Sequence, residues 1–377
     1  MISVLFLIHD LGVGGAEKVL VNLVNHIDSR QFDITVVALF GEGVNEQFLA
    51  PSVKHYNVWN RSIPANSYLM KLLTPRQLHA LCIKKRFDVE IAYLEGPAAR
   101  VICGCTDPDT KLIGWIHSEQ HTRRCAASSF RNYDESKACY KRFDSIVCVS
   151  RTVQKDFLRI YPDIGNTCVR YNTNDTDLII SLKNEPIKNP LFSEKRSDTE
   201  IRLVAVGKIE KNKGFDRLAR IVKRFRDSGI IVHLYALGKG KDQPAIEDYL
   251  EKNSLCSNYT FLGYQANPYK YIAKCDLFVC ASLSEGYSTA AAEALIVGTP
   301  VCTVEVSGMK EMLGENNEWG IITDNTEDAL YYAIKSLITN PDRLEYYRER
   351  ARERGKAFSM EKTVGAVEEL IKEVLNR

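Results

Sequence analysis

Short apolar runs recur along the chain, each closed by a glycine-bearing or polar turn and most followed by a stretch with helical spacing. In the first half the strand-like runs are Ile2 to Ile8, Asp33 to Ala38, Val53 to Val58, Asp88 to Tyr93, Lys111 to Ile116 and Ser145 to Val149, with helical patterns such as Ala16 to Ile27 and Tyr133 to Arg142 between them. After Asn172 the chain loosens into Asn, Asp, Thr, Lys and Pro up to Thr199. The alternation restarts at Ile201 to Val206 and continues through Ile230 to Ala236, Tyr259 to Leu262, Asp276 to Cys280, Val301 to Thr303 and Gly320 to Ile322. Strands alternating with helices predict parallel sheets with helices on both faces. The expected organisation is one α/β domain over 1–175, a linker over 176–200, a second α/β domain over 201–355, and a helix over 356–377 that packs back on the first domain. No internal repeat is visible.

Composition agrees with two ordinary globular domains: 377 residues, 45% hydrophobic and 26% charged. The longest apolar runs are too short to span a bilayer. The apolar start lacks a basic region and a cleavage site and runs straight into a glycine loop, so it reads as a first strand rather than a signal peptide. Eleven scattered cysteines suit free thiols in a reducing compartment, which implies the cytoplasm; the Cys103-x-Cys105 pair lacks partners for a zinc site. The formal net charge of +2 argues against nucleic-acid binding. Between Arg61 and Ser150, however, 14 basic residues stand against 9 acidic ones. Within this stretch, Ser67 to Phe87 is amphipathic and basic, is split by Pro75, and could lie on an anionic membrane surface.

Candidate chemistry sits at strand ends. Two glutamates, Glu285 and Glu293, stand eight positions apart between an apolar strand and a small-residue helix that Ser288 or Thr289 would cap. Glu285 falls on the loop, with Gly286 and Tyr287, and Glu293 falls one to two turns into the helix. The strand ending at Val206 leads into Gly207-Lys208-Ile209-Glu210-Lys211-Asn212-Lys213-Gly214, in which Lys208 and Lys213, five apart, are placed to neutralise a diphosphate near a helix N-terminus. Gly238 to Gly240 and Gly263-Tyr264 end two further strands. In the first half, Gly12, Gly14, Gly15 and Glu17 open the first helix. No G-x-G-x-x-G fingerprint with a ribose-binding acid is present. A capping carboxylate and solvated charged turns would account for single features, but not for four strand ends carrying glycine, lysine or glutamate together.

Taken together, these residues, with Gly298-x-Pro300-Val301, Gly308 and Glu311, resemble the family-four retaining glycosyltransferases of GT-B fold over nearly the whole chain. The resemblance implies two Rossmann-like doubly wound domains facing across a cleft, the acceptor held by the first and the nucleotide sugar by the second. It implies that Glu293 bonds the ribose, that Glu285 lies near the donor sugar, and that Lys208 and Lys213 grip the diphosphate. Donor contacts would extend to the backbone at Gly14 and Gly15, to Gly207, Gly238, Gly263, Gly286, Tyr287, Ser288 and Thr289, and to Tyr264 beside the base. His117, in Gly114-Trp115-Ile116-His117-Ser118-Glu119, falls where the family carries a histidine contacting the donor sugar. The catalytic set expected is Glu285, His117, Lys208 and Lys213, with no metal and no cofactor beyond the substrate. One departure is Lys208, where the family usually has Arg; lysine lacks the planar bidentate grip on phosphate.

The segment Asp88 to Pro97, with Trp115 to His117, is further similar to bacterial enzymes that extend capsular, exopolysaccharide or O-antigen repeats on a polyprenyl-diphosphate lipid. The expected reaction is transfer of a hexose or N-acetylhexosamine from a UDP-sugar to a lipid-linked glycan at the inner face of the plasma membrane. GDP-mannose as donor, a UDP-sugar 2-epimerase and a non-catalytic binding module are the alternatives. Donor hydrolysis without acceptor separates a transferase from a binding module.

Overall fold

The computed structural model describes residues 1–41, 43–61, 66–192, 197 and 199–377, Ser67 in its backbone only. The chain divides into two compact units, Met1–Thr173 with Met360–Arg377, and Asn174–Ser359. Among the described residues the first unit holds strands β1 (Ile2–Ile8), β2 (Phe32–Phe40), β3 (Lys54–Trp59), β4 (Val89–Ala92), β5 (Lys111–Ile116), β6 (Ser145–Cys148) and β7 (Thr167–Val169). They form one sheet in the order β3-β2-β1-β4-β5-β6-β7, every pairing parallel. β1 lies inside the sheet, and the winding direction reverses between it and the central β4, with Leu7 opposite Ala92. Its residues from Val4 to Ile8 are fully buried, as a strand covered by helices on both faces requires.

Local chemistry sets the helices of this unit. Thr74 and Gln77 form a reciprocal capping box and Pro75 occupies the first turn of helix Pro75–Cys82, so the amphipathic stretch breaks there after helix Asn66–Leu72. Ser150 caps helix Arg151–Ile160 through the Val153 N–H. Helix Met360–Leu375 buries Val364, Val367, Leu370, Ile371 and Val374. Glu368 accepts the Asp28 N–H at 2.8 Å, and Arg170 Nε donates to the Ala366 carbonyl at 3.0 Å.

The second unit holds β8 (Ile201–Val206), β9 (Val232–Leu237), β10 (Tyr259–Gly263), β11 (Leu277–Cys280), β12 (Val301–Val304) and β13 (Ile321–Thr323), all parallel in the order β10-β9-β8-β11-β12-β13. Its reversal point falls between β8 and β11. Leu203, Leu218, Ile221, Val222, Phe225, Leu234, Val279 and Ile334 are among the buried residues of its core. The stretch 176–200, expected as a linker, begins with helix Thr176–Leu182, capped by Asp175 and belonging to this unit. Ile179 is its buried residue while Leu178 and Ile180 are exposed, which explains the weak signal. Residues 193–196 and 198 of that stretch lie outside the described residues.

Candidate active site

In the second unit the loops carrying the candidate residues follow β10, β9, β8 and β11, four strands adjacent in the sheet. Backbone approaches that only glycine permits bring them together. Gly238 has φ +141°, and a Cβ there would stand 1.8 Å from the Gly207 carbonyl oxygen; at Gly214, with φ +67°, it would stand 2.1 Å from that of Ala281. Gly207 N–H donates to Leu237, Gly238 N–H to Gly263, and Ile209 N–H to Lys239. Asn212 stitches the β8 loop to the β11 loop: its carbonyl accepts the Leu283 N–H and its side-chain amide donates to the Ser284 carbonyl.

These approaches place Lys213 and Glu285 together at the reversal point, where open parallel sheets bind ligands. Lys213 Nζ lies 2.7 Å from both carboxylate oxygens of Glu285, and Ser282 Oγ donates to Oε1 at 2.7 Å. Lys213 keeps 31% of its side-chain surface and Glu285 10%, so the pair is half-sheltered and open to a ligand on the lysine side. Lys208 is exposed on the same loop. Ser288 is the N-cap of helix Thr289–Val297, accepting the Ala291 N–H, and Glu293 is buried in that helix at 3% exposure. Tyr287 is buried beside Gly308, and Tyr264 after β10 is 38% exposed.

The first unit presents a separate set. Gly14 is the N-cap of helix Gly15–His26, and the Glu17 carboxylate folds against it, since a Cβ on Gly14 would meet Glu17 Oε2 at 1.9 Å. His117 leaves β5 with its ring 4.9 Å from that of Tyr93. Burial pulls its pKa down to about 3, against a hydrogen bond to the Tyr93 backbone. The ring is therefore neutral. Its Nε2 is buried without a protein partner, so Nδ1 carries the proton toward Tyr93 and Nε2 offers a lone pair.

Ser282, Asn212 and Glu95 are partners that sequence reasoning missed. Ser282 stands three positions before Glu285, a spacing that could have drawn attention to it; Glu95 is 22 residues from His117, whose N–H it accepts at 2.8 Å, and no local pattern signals such a pairing. Among the described residues, two groups offer metal-ligating atoms within 4.8 Å of one another: His79, Glu90 and Cys105, and Glu119, His121 and Asp156. In each, one carboxylate already has protein partners. Glu90 is bonded by His79 at 2.7 Å, and Asp156 by the backbone of Gln120 and His121 and by Arg159.

Comparison with known proteins gives two family matches, "Glycosyltransferase Family 4" over residues 13–178 and "Glycosyl transferases group 1" over residues 188–354. A Campylobacter jejuni relative, N-acetylgalactosamine-N,N'-diacetylbacillosaminyl-diphospho-undecaprenol 4-alpha-N-acetylgalactosaminyltransferase, is 24% identical, with 93% of this chain and 94% of that protein covered. The GDP-mannose-dependent alpha-(1-6)-phosphatidylinositol dimannoside mannosyltransferase of Mycobacterium tuberculosis is 23% identical over 65% of this chain and 61% of its own length. Among solved structures, Anabaena HepE in complex with UDP and glucose superposes with a TM-score of 0.77 at 17% identity, covering 99% of this chain and 100% of its own. Two Rossmann-like sheets and two family matches that together span most of the chain lead to one conclusion: the protein belongs to the family-four glycosyltransferases of GT-B fold and uses a nucleotide sugar to glycosylate a glycan acceptor.

Proposed function

We propose that this enzyme is a retaining, metal-independent transferase that moves a hexose or N-acetylhexosamine from a UDP-sugar to a polyprenyl-diphosphate-linked glycan in surface polysaccharide synthesis. The observation that carries the reading is the Lys213–Glu285 pair at the reversal point of the second sheet, next to the capped N-terminus of helix Thr289–Val297. A leaving nucleoside diphosphate develops negative charge, which Lys213, Lys208 and unpaired helix N–H groups stabilise. Lys213 then exchanges part of its contact with Glu285 for phosphate. This leaves a carboxylate fixed by Ser282 near the anomeric carbon, where it stabilises oxocarbenium character. Glu293 takes the ribose hydroxyls and Tyr264 lines the base. Neutral His117 accepts a hydrogen bond from a sugar hydroxyl. Substitution runs on the front face of the sugar, with the departing phosphate taking the acceptor's proton.

The lipid-linked acceptor follows the activity of the Campylobacter relative, a transferase to a diphospho-undecaprenol glycan. It also suits the exposed apolar side chains Tyr68, Leu69 and Leu72, at 73%, 51% and 75%, which share the first unit with Lys84, Lys85 and Arg86. No helix among the described residues is long and apolar enough to cross a membrane; the contact proposed is peripheral. The test is a thermal-shift screen against UDP, GDP, ADP and CMP and their sugar conjugates without added metal, followed by transfer to a synthetic polyprenyl-diphosphate glycan. UDP should raise the melting temperature. Stabilisation by GDP alone would move the donor to GDP-mannose, the donor of the mycobacterial relative, and no shift with any nucleotide would defeat the reading.

A further inference from the structure

The segment from His117 to His121 is held from both ends by carboxylates that the transfer chemistry itself does not use. From the loop after β4, Glu95 accepts the His117 backbone N–H at 2.8 Å, the Ser118 hydroxyl, and the Gln120 side-chain amide at 3.2 Å. From helix Arg151–Ile160, Asp156 accepts the Gln120 N–H at 2.7 Å and the His121 N–H at 3.0 Å, while Arg159 bonds Asp156 and donates to the His121 carbonyl at 2.8 Å. His121 holds φ +57°, an unusual value for a non-glycine residue that this clasp sustains. Three donors from one short loop converge on Glu95, and only a group that accepts without donating satisfies them all. Burial pushes the Glu95 carboxyl up, so the site tolerates a costly group for the sake of its acceptor geometry.

We propose that Glu95 is a positioning residue for sugar transfer, fixing the loop after β5 so that Nε2 of neutral His117 meets a hydroxyl of the transferred sugar. This rests on the sugar contact proposed above for His117. The ring is wedged between Tyr93 and Trp115, at 4.9 and 6.5 Å between centroids, so the backbone that Glu95 holds is the remaining freedom through which Nε2 can drift. A displacement of about 1 Å in such a contact is worth roughly 10²-fold in rate.

The test compares the full-length protein with Glu95→Gln, Glu95→Asp, His117→Ala and the Glu95→Gln/His117→Ala double variant. The readout is release of nucleoside diphosphate from whichever of UDP-glucose, UDP-galactose, UDP-N-acetylglucosamine, UDP-N-acetylgalactosamine and GDP-mannose is hydrolysed fastest, with the Kd of the free nucleoside diphosphate measured alongside. Glu95→Gln should lower kcat roughly 10- to 100-fold with KM and Kd within about twofold of the parent. Glu95→Asp should regain part of the loss. The double variant should be no slower than His117→Ala, because Glu95 acts through His117. If Glu95→Gln keeps the parent kcat while His117→Ala loses it, the proposal falls and the sugar contact stands. A parent-like His117→Ala removes both, and additive losses overturn the proposal. Should Glu95→Gln fail to fold, Ser118→Ala removes one donor and leaves the carboxylate in place. A fall in kcat of about 3- to 10-fold at constant Kd supports the proposal, and no change refutes it.

Discussion

At the scale of single residues, the site is a set of charges whose partners are already chosen. Lys213 is held by Glu285, so on the proposed role removing the lysine deletes the cation meant for a departing diphosphate and leaves the Glu285 carboxylate with the Ser282 hydroxyl. Lys213→Ala should lower kcat roughly 10²- to 10³-fold, and steady-state transfer rates check it. Near-normal turnover would mean the diphosphate is held elsewhere. If Glu293 bonds the ribose hydroxyls as proposed, Glu293→Ala should instead weaken nucleotide binding, by roughly 10- to 100-fold in Kd, because this buried carboxylate would act on bound donor throughout the reaction; calorimetric titration with the nucleotide decides it. His117 carries a pH prediction. Its pKa in the folded chain is about 3 against 6.5 in the unfolded chain, so it stays neutral in the enzyme, adds nothing to stability above about pH 6.5, and costs stability as pH falls toward 3. The pH–rate profile between 5 and 8 should be the same in shape for the parent and His117→Gln, and a step lost in the variant would contradict a neutral ring. The candidate residues were legible because loops at strand ends carry residue types that packing does not need. Their pairings were not: Lys213 reaches Glu285 across 72 positions and Glu95 reaches His117 across 22, and such contacts arise only when sheet order brings loops together.

Between residue and molecule, the elements show which local rules decide. Glycine at the end of β9 is fixed by geometry, since Gly238→Ala would force a Cβ into the Gly207 carbonyl at a φ that L residues rarely adopt. That substitution should cost at least about 2 kcal/mol in chemical denaturation and weaken nucleotide binding with it, because the β8 loop moves. In the first unit, helix Pro75–Cys82 is pinned to β4 by His79 and Glu90, 2.7 Å apart with 15% and 2% of their side chains exposed. Burial lowers the His79 pKa, but hydrogen bonds with Cys105 and Glu90 overcome it and raise it to about 9. The stabilisation is therefore fully present below about pH 6.5 and is lost as pH rises through about 9. His79→Ala should cost roughly 3–5 kcal/mol near pH 6, and the difference from the parent should shrink by pH 9.5 in denaturation curves. Most strands could be read from their apolar runs to within a residue or two, because buried parallel strands are written as continuous hydrophobic stretches. β7 was not, since Thr167–Val169 is a three-residue, half-buried edge strand with no room to show a period. Helix Thr176–Leu182 was hidden because Ile179 is its buried residue while its neighbours Leu178 and Ile180 are exposed, so its apolar positions do not mark one buried face.

On the scale of the whole molecule, the two units differ in how the chain composes them. The second is one continuous segment, Asn174–Ser359, whereas the first is assembled from Met1–Thr173 and the helix after Met360. A chain stopped after Ser359 should keep nucleotide binding in the second unit. It should lose protection in the first, where Val367, Leu370 and Ile371 no longer cover the residues they bury; hydrogen exchange, unit by unit, reads this directly. The same arrangement sets an order of events during synthesis. On the ribosome the second unit must be made in full before the helix that completes the first exists, so the domain that emerges earliest is finished last. Until then it waits with a seam of its core uncovered. An unfinished glycosyltransferase of this kind is thus most exposed to chaperones and proteases in its first domain, while its second is already closed.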